Sequence, residues 1–121
     1  MPKSFNDYVN EVRTNVKEIS IEKLTQIYAE TLFVIDIREE YECRGGMIPG
    51  SINISRGVLE SSIENAFAMS RNKKDADIYL ICRSGKRSVL AAQSLQNMGF
   101  KNVYSIQGGI KAWIDKRLKI I

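Results

Sequence analysis

Histidine is missing altogether from this 121-residue chain. That absence excludes histidine-ligated zinc sites, Ser-His-Asp triads and Cys-His pairs, so any nucleophile has to be activated without an imidazole. Cysteine is nearly as scarce. Cys43 and Cys82 are the only two, too few for a disulfide framework. Only Pro2 and Pro49 punctuate the chain, and no internal repeat or low-complexity tract appears. No apolar run approaches the roughly 18 residues of a membrane span. The polar, mixed-charge stretch from Met1 to Ser20 lacks the apolar centre of a signal peptide. The expected setting is a reducing cytoplasm, where a thiol survives as a thiol.

What is present is an ordinary globular balance, with 44% apolar and 26% charged residues. A chain of this length buries a core as one domain, without metal or disulfide staples. Residues 1–121 therefore read as a single domain, with residues 1–15 as an N-terminal helical extension. The net charge of +4 is unevenly spread. Residues 1–70 carry a net −4 and residues 71–121 a net +8. Such a split suits an anionic substrate in the basic half, or nucleic acid. The second reading is weak, because the basic residues are dispersed among apolar positions and no nucleic-acid-binding signature accompanies them. No nucleic-acid or membrane partner is expected.

Along the chain, strand and helix patterns alternate. Ser4 caps a helix carrying Phe5, Tyr8, Val9 and Val12. Val16 to Ile19 reads as a strand, and Ser20 caps a second helix with Ile21, Leu24, Ile27 and Tyr28 on one face. Leu32 to Ile37 is a β-branched run of the kind buried on both faces, followed by a short helix from Arg38-Glu39-Glu40. Gly45-Gly46 and Pro49-Gly50 bracket a loop before a strand at 52–54, and a helix runs from Ser55 through Ala66. Arg71 to Asp75 reads as a charged surface loop. Ile78 to Ile81 is a buried strand leading into Cys82. A helix follows with Leu90, Ala91, Leu95 and Met98 inward, stopping at Gly99. Asn102 to Ile106 is the last strand, with a helix from Gly108-Gly109 through Trp113. The pattern predicts an α/β domain with a mainly parallel five-stranded central sheet and helices on both faces. Ligands of such sheets sit at the carboxyl ends of the strands, where Cys82 falls.

The chemistry concentrates in Cys82-Arg83-Ser84-Gly85-Lys86-Arg87-Ser88. A cysteine between a buried strand and a helix start meets converging backbone N–H groups, which favour negative charge. Arg83, Lys86 and Arg87 add cationic charge, so the thiolate is held without histidine. Gly85 lets the loop curl with its amides inward, as in an anion nest. A cysteine at a strand end is more often a small buried hydrophobe. The three cations, glycine and two serines that follow make a poor core and a good anion pocket, and reverse that reading.

These motifs resemble those of a known family. The loop at 82–88, with Val34-Ile35-Asp36-Ile37-Arg38 upstream and Gly108-Gly109-Ile110-Lys111-Ala112-Trp113 downstream, is similar to a single-domain rhodanese. Met47-Ile48-Pro49-Gly50-Ser51-Ile52-Asn53 resembles the family's H-I-P-G-A-x-N, with Met47 where histidine is common. A glycine that often follows near Lys116-Arg117 is absent. The resemblance implies a rhodanese-like fold and a thiosulfate sulfurtransferase, free of metal and cofactor. Cys82 matches the persulfide-forming cysteine, and Arg83, Ser84, Gly85, Lys86, Arg87 and Ser88 fall on the substrate-binding loop. It further implies a small anionic sulfur donor and a cyanide or thiol acceptor. The alternative is a carrier that delivers its persulfide to a sulfur-accepting protein. Cysteine phosphatases of similar pattern have His-Cys, five residues and Arg; here Ile81 precedes Cys82, and four residues separate it from Arg87.

Four further features have a bland account. Cys43 reads as a packing residue rather than a resolving thiol. Asp36 and Arg38 read as an ion pair or loop anchor, and Trp113 as core. Ser84 and Ser88 either donate to the persulfide or cap the helix.

Overall fold

The computed structural model describes residues 1–30, 32–70 and 76–121, the side chains of 67–70 excepted. The expected loop at Arg71–Asp75 lies outside the described residues. The elements run α1 (Phe5–Arg13), β1 (Lys17–Ile19), α2 (Ile21–Ile27), β2 (Val34–Asp36), α3 (Glu40–Cys43), β3 (Ile52–Asn53), a 3-10 turn (Arg56–Val58), α4 (Leu59–Ser70), β4 (Ile78–Ile81), α5 (Arg87–Asn97), β5 (Val103–Ile106) and α6 (Gly109–Asp115). All four strand pairings are parallel, in the order β1-β5-β4-β2-β3.

The two-residue period of a strand divides the core between the faces of the sheet. Ile78 and Leu80 pack with Leu59 and Ile63 of α4 and Ala91 and Leu95 of α5. Tyr79 and Ile81 face the other way, toward Ile21 and Leu24 of α2 and Ile110 and Trp113 of α6. Cys82 continues the alternation and returns to the α4–α5 face. Its position beyond β4, between β2 and β5, puts it at the carboxyl ends of the sheet's inner strands.

Serines start the first two helices, as expected. Ser4 Oγ accepts from the Asp7 N–H at 3.0 Å and Ser20 Oγ from the Lys23 N–H at 3.1 Å. α1 adds a small third cluster, in which Val9 and Val12 pack on Val89 of α5. Phe5 and Tyr8, placed on the same helical pattern, are about half exposed.

Three expectations change. Ser55 opens the 3-10 turn, and α4 begins only at Leu59. Ile27, assigned to the buried face of α2, is 46% exposed, because the helix ends there and Tyr28 is already extended. Met98, expected inward, is 43% exposed; it is the C-cap of α5, and Phe100 beyond the turn enters the core instead. Among the described residues no helix is long and apolar enough to cross a membrane.

Candidate active site

Cys82 is 1% exposed, at the point where β4 gives way to the loop before α5. The chain curls back over it. The Gly85 N–H donates to Cys82 Sγ at 3.2 Å and the Ser88 N–H at 3.4 Å, while Ser88 Oγ lies 3.3 Å from the sulfur. Among the described residues the N–H groups of Ser84, Lys86 and Arg87 meet no protein acceptor. The loop therefore holds two amides on the sulfur and further amides for an incoming anion.

Glycine is required at two places in this arrangement. Gly85 has φ +88°, and a Cβ there would lie 2.8 Å from the Gly108 nitrogen. Gly109 has φ +60°, and a Cβ there would lie 2.4 Å from the Cys82 carbonyl oxygen. The first turn of α6 consequently rests against the loop backbone. The Ile110 N–H donates to the Cys82 carbonyl at 2.8 Å, and the Lys111 N–H to the Arg83 carbonyl at 3.1 Å. These bonds use N–H groups that the start of a helix leaves without intrahelical partners. The downstream glycine pair thus clamps the cysteine loop.

The loop's cations are not equivalent. Arg83 and Ser84 are exposed, and Arg83 has no ion-pair partner among the described residues. Lys86 donates to Asn6 Oδ1 of α1 at 2.9 Å, a neutral partner, and has no ion-pair partner among the described residues. Arg87 instead donates to both Glu42 carboxylate oxygens, at 3.0 and 2.9 Å. Hydrogen bonding from Arg87 holds the Glu42 carboxyl below the usual carboxylate range. The sequence places Arg87 with the other cations at the donor; the structure ties it to α3.

Asp36 and Arg38 frame the site from the neighbouring strand. Both are buried, and Arg38 Nη2 reaches Asp36 Oδ2 at 2.8 Å. The guanidinium also donates to the carbonyls of Glu42 and Gly46, fixing the path after α3. Cys43 is half-buried at the end of α3. Burial pushes its thiol up and the nearby Asp36 charge adds to this, so it stays protonated at neutral pH. Trp113 is 2% exposed, edge-on to Tyr28, with Nε1 donating to the Lys119 carbonyl. The Met47 backbone pairs in both directions with Ile121.

Three side chains at the site escape sequence reasoning. Asn6 and Glu42 carry no local signal, being 80 and 45 positions from their partners. Ser105 lies fully buried with its Oγ 2.6 Å from Ser88 Oγ. A serine inside the strand run Val103-Tyr104-Ser105-Ile106 was the available clue.

A five-stranded parallel sheet with an amide-lined cysteine loop at its carboxyl end defines a class of α/β domains that hold a thiol at the ends of parallel strands. The chain belongs to the rhodanese-like domain family, whose model matches residues 20–116. It is 34% identical over 112 residues to a Bacillus subtilis protein provisionally named sulfur carrier protein YrkF, covering 91% of this chain and 57% of that one. A sulfurtransferase of Allochromatium vinosum is 35% identical over 108 residues, 88% of this chain and 95% of its own. The thiosulfate sulfurtransferase GlpE of Pseudomonas entomophila is 35% identical over 97 residues, 80% of this chain and 84% of its own. Among solved structures, a Rhodopseudomonas palustris protein of unknown function, described as a possible tyrosine phosphatase, superposes with a TM-score of 0.85 at 30% identity. That match covers 100% of this chain and 96% of the other.

Proposed function

We propose that this protein is a cytoplasmic sulfurtransferase that carries sulfane sulfur on Cys82, from thiosulfate or a related anionic donor to cyanide or a thiol. The observation that carries this reading is the Cys82 sulfur itself, buried and met by the Gly85 and Ser88 amides, beneath a loop whose Ser84, Lys86 and Arg87 amides meet no acceptor among the described residues. Membership of a family with named sulfurtransferases supports it.

The cycle is a double displacement. The Cys82 thiolate attacks the outer sulfur of thiosulfate; a sulfur–sulfur bond forms, the bond to the sulfonate sulfur breaks, and sulfite leaves with the electron pair. The persulfide's charge then sits on its terminal sulfur, within reach of the loop amides. Cyanide or a thiolate takes that sulfur, and the electron pair returns to Cys82. Arg83 and Lys86, whose charges have no ion-pair partner among the described residues, attract the anionic donor. Arg87 acts at one remove, holding the start of α5.

A second reading, a persulfide carrier that delivers sulfur to a protein, is supported by the provisional name of the Bacillus relative. Phosphate chemistry is less well served. The loop has only four residues between Cys82 and Arg87, and the Arg87 guanidinium is occupied by Glu42.

Intact mass after incubation with thiosulfate, for wild type and Cys82→Ala, tests the proposal. A gain of one sulfur on wild type only, removed by cyanide, is expected. Sulfur retained by the variant, or none on wild type, overturns it. Turnover then separates the two readings: fast thiosulfate–cyanide exchange marks the enzyme, and slow exchange with transfer to a co-purifying protein marks the carrier.

A further inference from the structure

The buried polar side chains of the described residues are Asp36, Arg38, Ser88 and Ser105. The first two pair with each other, and so do the last two. Ser105 stands in β5 opposite Leu80 of β4, on the sheet face that Val103 and Cys82 share. Burying a hydroxyl there is unfavourable unless it is hydrogen-bonded. Among the described residues its one partner is Ser88 Oγ, at 2.6 Å. Ser88 Oγ in turn lies 3.3 Å from Cys82 Sγ.

The proton count sets the direction of this chain. Each hydroxyl has one proton to give. If Ser88 gave its proton to Ser105, the Ser105 proton would be left in the core with no acceptor, which is unfavourable. If Ser105 gives to Ser88, the Ser88 proton is free to point at the sulfur, and both are used. Together with the Gly85 and Ser88 amides, the sulfur then meets three donors.

We infer that Ser105 is a positioning residue for the Cys82 nucleophile: it donates to Ser88 Oγ and so turns the Ser88 hydroxyl toward Sγ as a third donor to the thiolate. The inference rests on Cys82 being the nucleophile. No proton is transferred along the chain. Both hydroxyls keep theirs, and the device works by orientation alone. Its benefit falls on the states in which Sγ bears charge, before it attacks the donor and as the acceptor withdraws the terminal sulfur. It gives a chain without histidine one more neutral, buried donor to the thiolate.

The test compares wild type, Ser88→Ala, Ser105→Ala and the double variant. The rate of iodoacetamide alkylation is followed against pH, read at Cys82 by peptide mass, alongside thiosulfate–cyanide kinetics and thermal melting. Ser105→Ala is expected to melt as a folded protein, to displace the alkylation profile to higher pH, and to lower kcat about five- to tenfold with KM little changed. Ser88→Ala moves the profile the same way, and the double variant moves it no further, because Ser105 acts through Ser88. A Ser105→Ala profile that overlays wild type overturns the inference, and so does a double variant that adds the two displacements. The underlying reading fails separately. Wild type that never gains sulfur removes the transfer function, while the alkylation profiles still decide what Ser105 does.

Discussion

Glu42 grips Arg87 through both carboxylate oxygens, at 3.0 and 2.9 Å, across 45 positions of sequence. The same carboxylate accepts the Glu39 N–H at 3.0 Å, so one side chain caps α3 and anchors the first residue of α5. Behind it, the buried Asp36–Arg38 pair holds the Glu42 and Gly46 carbonyls. The cysteine loop is therefore framed by segment 36–46 on one side and by the first turn of α6 on the other. Arg87 has its counter-charge before any donor arrives, whereas Arg83 has none among the described residues.

Replacing the two arginines by alanine should consequently give different phenotypes. Arg83→Ala is expected to raise KM for thiosulfate about three- to tenfold with kcat within about twofold, the mark of lost attraction to the donor. Arg87→Ala should instead lower kcat and destabilise the fold by about 1 kcal/mol, a value discounted for its partial exposure. Steady-state kinetics with thermal melts check both. Equal KM effects with unchanged melting would show that Arg87 serves the donor directly.

The Glu42 carboxyl also makes the loop anchor sensitive to acid. Its folded value lies below the ordinary 4.5, so the pair contributes stability above that pH and loses it as pH falls through the depressed value. Glu42→Gln should melt below wild type at pH 7, by a difference on the order of 1 kcal/mol. The two curves should converge in acid below the usual carboxylate range. A difference that persists unchanged at pH 3 would place the stabilisation in packing instead of charge.

Much of this molecule is legible in its sequence because it follows local rules. Ile78 to Ile81 reads as a strand from composition alone, and the position of Cys82 just beyond it marks the candidate site. The Gly108-Gly109 pair reads as a motif, although the reason for it, contact with the Cys82 and Arg83 carbonyls, appears only in three dimensions. What stays hidden is long-range pairing. Glu42 looks like any exposed acid in Glu-Tyr-Glu-Cys, and Asn6 belongs to a helix outside the family match at 20–116. Met98 misleads because helical spacing continues past the residue where the helix stops.

The clamp on the loop is open to a single methyl. Gly109→Ala would set a Cβ 2.4 Å from the Cys82 oxygen and 2.6 Å from the Arg83 carbonyl carbon, both backbone atoms with no rotamer to yield. A loss of about 1–3 kcal/mol is expected, with a larger proportional loss of sulfur transfer, since the displaced backbone bears Cys82, the proposed nucleophile. Gly45→Ala is the control, because a Cβ there meets nothing within 4 Å. Chemical denaturation and turnover of both variants decide the matter. A silent Gly109→Ala would show that the loop does not depend on this contact.

The opposite substitution should help at the far end of α6. The helix closes with the Arg117 N–H on the Ile114 carbonyl at 2.8 Å and the Leu118 N–H on the Trp113 carbonyl at 3.4 Å. This double closure needs its middle residue in the left-handed region, and Arg117 holds φ +58° there. A non-glycine residue bears about 1–2 kcal/mol in that conformation. Arg117→Gly removes the steric cost but gives back about 0.5–1 kcal/mol in unfolded-chain entropy. The net expectation is a gain of about 0.5–1 kcal/mol, a rise of about 2–4 °C in Tm. Sulfur transfer should be unchanged, because Arg117 lies beyond the carboxyl-terminal end of α6 and it is the opposite end that touches the cysteine loop. Differential scanning calorimetry reads the shift, and a lower Tm would mean that the Arg117 side chain contributes more than its backbone costs.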